Sequence, residues 1–135
     1  MASIFTKIVK GEIPSYKIAE TENCFAFLDI NPLAKGHTLV IPKQETDNFF
    51  DLDDKLYNEL CLLAKKIAKA IEKTIPCAKV GVAVIGLEVR HAHIHLVPIN
   101  GIHDIDFSRP KLKLCANELS NIATAITANL LLYSF

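Results

Sequence analysis

The segment 91–97, HAHIHLV, constrains the fold of this chain more than any other stretch of its sequence. Histidine alternates there with apolar residues, and a period of two is typical of a β-strand. The alternation places His91, His93 and His95 on one face of the predicted strand and apolar side chains on the other. A merely solvated face would be served as well by Thr, Lys or Glu, so three aligned imidazoles indicate a chemical role.

The other patterns predict an α+β fold with a mostly antiparallel, five-stranded sheet. Residues 53–75 carry apolar side chains at three- and four-residue spacing, which predicts one long helix. Asp51 or Asp53 is the expected N-cap, and Pro76 is expected to end this helix. A second helix is predicted at the C-terminus, and residues 1–135 are expected to form a single domain. The predicted strands are 16–19, 24–30, 37–43, 79–85 and 91–97.

Composition excludes several classes of function. Fifteen basic and fifteen acidic residues give a net charge of zero, so no broad positive surface is expected for a nucleic-acid polymer. The N-terminus lacks the apolar core of a signal peptide, and no run approaches the ~20 apolar residues that span a bilayer. We therefore expect a cytoplasmic protein without a membrane partner, in which Cys24, Cys61, Cys77 and Cys115 are small buried apolar residues rather than disulfides.

Two kinds of chemistry fit the histidine face. In one, His-x-His binds a divalent metal, with further ligands recruited from Asp29, His37, Glu45 or Glu88. In the other, one imidazole is a nucleophile toward phosphorus while its neighbours orient it and transfer protons. The spacing of the residues leaves both possibilities open.

Three segments together resemble the histidine triad nucleotide-binding proteins. HAHIHLV matches the family signature, and IFTKIVKGEIPS and FAFLDINPLAKGHTLVIPK match family segments in the same order, so that the resemblance covers about residues 3–99. This resemblance favours the nucleophile over the metal. It implies a nucleotidyl hydrolase that acts at the α-phosphate of a purine nucleotide through a covalent nucleotidyl-histidine, without a cofactor. It also implies a homodimer.

The resemblance also implies roles for individual residues. His93 would be the nucleophile, His95 would contact the phosphate and assist the leaving group, and His91 and His37 would complete the cluster. Asp29 would bind the ribose hydroxyls, with capping of the Asn31-Pro32 turn as its alternative role. The positions that would contact the rest of the nucleotide are Phe5, Phe27, Ile30 and Leu39 at the base and the Gly86 amide near the phosphate.

The chain departs from the family pattern in two places. Many members bind zinc through two cysteines, a histidine and the first triad histidine, but Ser3, Thr6 and Glu45 occupy three of these positions here. Hydroxyls are poor zinc ligands, so we predict no structural metal. Leu87 and Glu88 replace polar residues that contact phosphate, and strand parity suggests that Glu88 pairs with Arg90.

The expected activity is hydrolysis of a phosphoramidate or a related bond. A dinucleoside polyphosphate hydrolase and a nucleotide-binding module with weak activity are the alternatives. His103 and Arg109, within the polar stretch 100–113, are candidates for further substrate contacts.

Overall fold

The computed structural model describes residues 2–133. Five strands and three α-helices form the framework, with two short 3₁₀ turns at Phe49–Asp51 and Ile102–Ile105. In chain order the elements are α1 (Ile4–Val9), β1 (Lys17–Glu20), β2 (Cys24–Leu28), β3 (Thr38–Pro42), α2 (Asp54–Thr74), β4 (Lys79–Ala83), β5 (Ile94–Ile99) and α3 (Ala116–Tyr133).

The strands form one sheet in the order β1-β2-β3-β5-β4, and neighbouring strands are antiparallel throughout. This arrangement confirms the predicted α+β fold with a five-stranded antiparallel sheet. Strand β5 lies between β3 and β4, so the end of the histidine segment is in the interior of the sheet rather than at an edge.

Helix α2 follows directly from its sequence pattern. The Asp53 carboxylate caps it by accepting a hydrogen bond of 2.8 Å from the Leu56 amide, and the helix ends at Thr74, two residues before Pro76. Its apolar face and that of α3 cover one side of the sheet. The main core lies in this layer, and it includes Leu60, Ile67, Ile71, Ile94, Leu96 and Ile126.

The opposite side of the sheet carries a smaller apolar cluster covered by α1. This six-residue helix was not predicted, because it is too short to show helical periodicity in the sequence. The Ser3 hydroxyl caps it by accepting a hydrogen bond of 3.0 Å from the Thr6 amide. The cluster consists of Phe5, Phe25, Phe27, Leu39 and Ile41.

Strand β5 begins at Ile94, so the prediction that all of 91–97 is a strand was wrong in its first half. The pairing with β3 ends at Val40–Ile94, and the pairing with β4 ends at Ala83–His95. Before that point the chain leaves the sheet, and the Ala92 amide donates instead to the Thr46 carbonyl at 2.7 Å. Two of the three triad histidines therefore precede the strand.

The cysteine prediction was only partly correct. All four thiols are free, but Cys24 alone is buried, Cys61 and Cys77 are half-buried, and Cys115 is exposed. Within residues 2–133, no helix is both long and apolar enough to cross a bilayer.

Candidate active site

The site begins with a row of side chains across the α1 side of the sheet. Leu39 on β3 pairs with Phe27 on β2 and with His95 on β5, so the three side chains point to the same face. Phe27 and Leu39 belong to the apolar cluster under α1. The sheet register therefore brings an imidazole directly beside this apolar cluster.

His93 has its reactive nitrogen set by the backbone. Its Nδ1 lies 2.7 Å from the carbonyl oxygen of His91, and a carbonyl can only accept a hydrogen bond. Nδ1 therefore carries the proton of the neutral ring, and Nε2 keeps its lone pair. Burial lowers the pKa of His93, which favours this neutral form. His93 is therefore ready to act as a nucleophile through Nε2.

His37 and His95 form a buried pair whose protons are set in the same way. The Leu33 amide donates to His37 Nδ1 at 3.0 Å, so the proton of neutral His37 lies on Nε2. This N–H donates to His95 Nδ1, also at 3.0 Å, and leaves the proton of His95 on its own Nε2. Burial lowers the pKa of His37 to about 4 and that of His95 to about 3, so both rings are neutral at pH 7.

These hydrogen bonds fix which nitrogen of each ring carries the proton. The rings of His93 and His95 lie 4.7 Å apart between centroids. One ring offers a lone pair and the other an N–H, which are the groups that an acid–base displacement at phosphorus requires.

Asp29 lies at the end of β2, next to the buried histidine pair. One carboxylate oxygen accepts a hydrogen bond of 2.9 Å from the Asn31 amide, which is the turn-capping role considered for this residue. The other oxygen lies 3.6 Å from His37 Nε2. Burial raises the pKa of Asp29, while the Asn31 amide and the charge of Lys111 oppose that rise. The capping role uses one oxygen and leaves the second for other contacts.

The predicted base-contacting residues divide into two groups. Phe5, Phe27 and Leu39 come together in the buried cluster, and the Phe5 ring lies 5.0 Å from that of His93. Ile30 lies outside this cluster and is 59% exposed. Phe25 and Ile41 also belong to this cluster and Val89 packs against it, but the sequence does not distinguish them from ordinary core residues.

His91 belongs to a different network, which joins the positions predicted to have lost zinc. The Ser3 hydroxyl lies 2.7 Å from His91 Nδ1, and Glu45 accepts from the Ser3 amide at 2.6 Å and from the Thr6 hydroxyl at 2.7 Å. On its other side, His91 Nε2 donates to the Pro42 carbonyl at 2.8 Å. These hydrogen bonds lower the pKa of Glu45 to about 2. A hydrogen-bonded network therefore joins the residues at the positions of the family's zinc ligands.

Three residues, including the buried histidine pair, are close enough to one another to bind a metal ion. Asp29, His37 and His95 offer ligand atoms that all lie within 4.8 Å of one another. A metal on His37 Nε2 would displace the proton from that nitrogen to Nδ1, where the Leu33 N–H already points. The hydrogen bonds of the site therefore disfavour a metal between these residues.

The side chains of Arg90 and Arg109 both pair with residues outside the histidine cluster. Arg90 pairs with Asp47 at 3.2 Å rather than with Glu88, because residues 86–90 are not a strand and parity does not apply to them. Gly86 has a φ of 72°, in the left-handed region that favours glycine. Arg109 donates to the His103 carbonyl at 2.7 Å and to Asp104 at 3.3 Å, so its guanidinium is used within its own loop.

Sequence reasoning missed Phe107. Its ring lies 4.6 Å from that of His95 and 6.1 Å from that of His37, measured between centroids. The available signal was one aromatic residue within the polar stretch 100–113. That signal does not identify a partner, because the contact joins segments far apart in the chain.

Comparisons with known proteins agree with this site. The HIT domain family model matches residues 10–101. The adenosine 5′-monophosphoramidase of Schizosaccharomyces pombe is 34% identical over 132 residues, covering 96% of this chain and 99% of that protein. The adenosine 5′-monophosphoramidase of Saccharomyces cerevisiae is 42% identical over 98 residues, covering 72% of this chain and 62% of that protein.

Solved structures share the fold over nearly the whole chain. A Hit-like protein from Bartonella henselae, described as involved in cell-cycle regulation, has a TM-score of 0.81 at 31% identity. The match covers 94% of this chain and 95% of that one.

Four buried imidazoles thus lie beside an apolar cluster on one side of an antiparallel sheet. The chain belongs to the histidine triad, or HIT, domain family. Both the predicted family and the predicted hydrolase of the histidine triad type are confirmed.

Proposed function

We propose that this enzyme hydrolyses phosphoramidates of purine nucleotides at the α-phosphorus, in two steps through a nucleotidyl-histidine. The observation that carries this proposal is the lone pair on His93 Nε2 beside the N–H on His95 Nε2. The His91 carbonyl sets the first, and the His37 ring, itself fixed by the Leu33 amide, sets the second. The resemblance to adenosine 5′-monophosphoramidases supports the substrate class.

In the first step His93 Nε2 attacks phosphorus, and the bond from phosphorus to the leaving nitrogen breaks. The leaving nitrogen takes the proton of His95 Nε2 and departs as a neutral amine. A proton from solvent replaces the one that His95 gives up, so His95 stays neutral while His93 becomes positive on bonding to phosphorus. The His37 Nε2–H donates to His95 Nδ1 and so keeps the transferable proton of His95 on its Nε2.

In the second step water attacks phosphorus and the bond to His93 Nε2 breaks. The proton of the attacking water is released to solvent, which balances the proton taken up in the first step, and both rings return to their starting state. The product is the nucleoside monophosphate. Each ring is thus returned with the proton arrangement that its hydrogen-bond partners favour.

The remainder of the nucleotide has matching groups beside the histidines. The apolar cluster around Phe5 and Phe27, next to His93, offers aromatic surface against which a planar purine would pack. The second oxygen of Asp29 suits a ribose hydroxyl, since a carboxylate accepts hydrogen bonds from vicinal hydroxyls. No metal is required for either step, so chelating agents should leave turnover unchanged.

Trapping the covalent intermediate tests this proposal. Wild-type enzyme denatured in alkali during turnover of adenosine 5′-phosphoramidate should carry one adenylyl group, which peptide mapping should place on His93. His93→Ala should give no adduct and lose turnover by about 10⁴-fold or more, while nucleoside monophosphate still binds. Asn121→Ala is the control, because Asn121 is exposed on α3, which packs on the opposite side of the sheet. An adduct on another residue, or an active His93→Ala enzyme, contradicts the proposal.

The same assay separates the alternative activity. A dinucleoside polyphosphate hydrolase would use the same nucleophile on a P–O–P bond. Turnover of diadenosine polyphosphates well above that of the phosphoramidate would favour it. Turnover far below that of ordinary enzymes on both substrates would instead favour a binding module.

We also propose a homodimer formed through the β4 edge of the sheet. Strand β4 is an edge strand, and exposed apolar side chains lie on it and just after it. Val82 is 63% exposed and Leu87 is 77% exposed, which supports a partner surface there. Light scattering at micromolar concentration should give twice the monomer mass, and Val82→Lys should halve it. The matched control Ile102→Lys, at a site 81% exposed elsewhere, should remain a dimer.

Finally, we propose a cytoplasmic location. The exposed free thiol of Cys115 suits a reducing compartment, where thiols persist. Fractionation of cells that produce the native chain should recover the activity with soluble cytoplasmic markers.

A further inference from the structure

The loop between β5 and α3, residues 100–115, crosses over the buried histidine pair. It is fixed there because the Leu112 amide donates to the Pro32 carbonyl at 2.8 Å, within the turn that follows Asp29. The half-buried ring of Phe107 then lies edge-on to His95. This loop therefore forms a wall of the site that the sheet does not provide.

Two aromatic rings flank the histidines on different sides. Phe5 contacts the rings of His91 and His93, and it belongs to the apolar cluster proposed for the base. Phe107 contacts His95 and His37 instead. Since His95 gives its proton to the leaving group, a side chain packed against His95 lies on the leaving-group side.

Lys111 places a positive charge at the same location. Its ammonium donates to the carbonyl of Phe107 at 2.5 Å and to that of Arg109 at 3.0 Å. An ammonium has three donors, so a third is available to an incoming anion. The charge of Lys111 also lowers the pKa of His37 and opposes the rise in the pKa of Asp29, which indicates that the ammonium is near both.

We propose that Phe107 and Lys111 form a leaving-group subsite, which selects a leaving group that combines a flat apolar body with a negative charge. The inference rests on the proposed phosphoramidase function. Phe107 would pack against the flat body, and Lys111 would pair with the anion. Two sources share this chemistry: an aromatic amino acid bound through its amine, and the second nucleotide of a dinucleotide.

A series of adenosine 5′-phosphoramidates with one nucleotide and different amines tests the subsite. The amines are ammonia, phenethylamine and phenylalanine. Diadenosine tetraphosphate is added as the substrate whose leaving group is a nucleotide. Wild-type enzyme should show kcat/KM rising along the amine series. Ratios between substrates are compared within each variant, so a general loss of folding or of His95 function cancels.

Each variant should reduce one substrate preference and leave the other unchanged. Phe107→Ala should reduce the preference for phenethylamine over ammonia by ~10-fold, as expected for loss of an aromatic contact. Lys111→Met should reduce the preference for phenylalanine over phenethylamine by ~3–5-fold, as expected for an exposed ion pair. The matched controls Ile102→Ala and Lys113→Met, on the same loop, should retain both ratios.

The outcomes separate this inference from the function on which it rests. If wild-type enzyme hydrolyses the ammonia compound with equal kcat/KM for all amines, or the two variants keep both ratios, the subsite is wrong and the function stands. If no phosphoramidate is hydrolysed, the proposed function fails as well. If both variants lose their preference for diadenosine tetraphosphate but keep the amine ratios, a nucleotide leaving group replaces the amino acid as the source.

Discussion

The histidines at the two ends of the cluster, the His37–His95 pair and His91, lie in different environments. At one end, His37 and His95 are buried under Phe107, and their proton positions follow from the Leu33 amide. At the other end, His91 is buried as well, but it is joined through Ser3 to the exposed carboxylate of Glu45. The hydrogen-bond partners and burial of each histidine, rather than the residue type, therefore determine its chemical role.

The difference is one of electrostatics. Burial holds the first pair neutral, with pKa values of about 4 and 3, so a proton can pass along it without an ion being stored in the resting enzyme. The second network keeps an ionised carboxylate on hydrogen bonds to α1. The first end is therefore suited to proton transfer, and the second to holding α1 and Phe5 against the site.

The largest expected effect separates His95 from His91. His95→Ala should lower kcat/KM by ~10²–10⁴-fold for an amine leaving group, which needs a proton, and far less for a p-nitrophenolate ester, which does not. His91→Ala should lower kcat/KM for both substrates by a similar, smaller factor, since the backbone carbonyl of residue 91 still orients His93. A similar leaving-group dependence in both variants would contradict the difference between the two ends.

The pH profile should show the effect of burial on the nucleophile. Protonation of His93 removes the Nε2 lone pair, and burial lowers the pKa of His93 below its ordinary value of 6.5. The neutral form therefore persists to lower pH, and kcat/KM should stay near its plateau at pH 6.5. Below the lowered pKa it should fall ~10-fold per pH unit. An acid limb centred above pH 6.5 would show that the ring is not desolvated.

Asp29→Asn should reveal which of its two oxygens matters to the substrate. The turn contact with the Asn31 amide can be retained by the asparagine carbonyl. The preference for ribonucleotides over 2′-deoxyribonucleotides, measured as a ratio of Kd values, should fall by ~10-fold. Equal weakening of both nucleotides would instead assign Asp29 to the turn alone.

Glu45→Gln should give the smallest change, with turnover reduced less than ~5-fold, because exposed polar contacts contribute little. The pKa of Glu45, lowered to about 2, predicts a stabilising effect present above about pH 4.5 and lost as pH falls toward 2. The Tm difference between wild type and variant should therefore be present at pH 7 and nearly absent at pH 2. Glu22→Gln, at another exposed carboxylate, should show no such difference.

The fold could be predicted where local physics determines it. The Asp53 cap, the apolar face of α2 and the Asn31-Pro32 turn all follow from neighbours in the chain. The start of β5 could not be predicted, because it depends on where β3 and β4 end and on the Thr46 carbonyl. The Glu88–Arg90 pairing failed for the same reason, since parity was applied to residues outside a strand.

The sequence by itself determined which side chains are available: four histidines in two segments, a carboxylate after a strand, and hydroxyls in place of zinc-binding thiols. Only the tertiary structure decided where the protons lie on the rings and which side chains surround them. The proton of His95 is positioned by His37, which lies 58 residues earlier in the chain, and His91 donates to the Pro42 carbonyl. Phe107 reaches His95 through a loop fixed to Pro32. The physical reason is that a neutral imidazole places its proton according to the partners around it, and most of these partners come from distant segments of the chain.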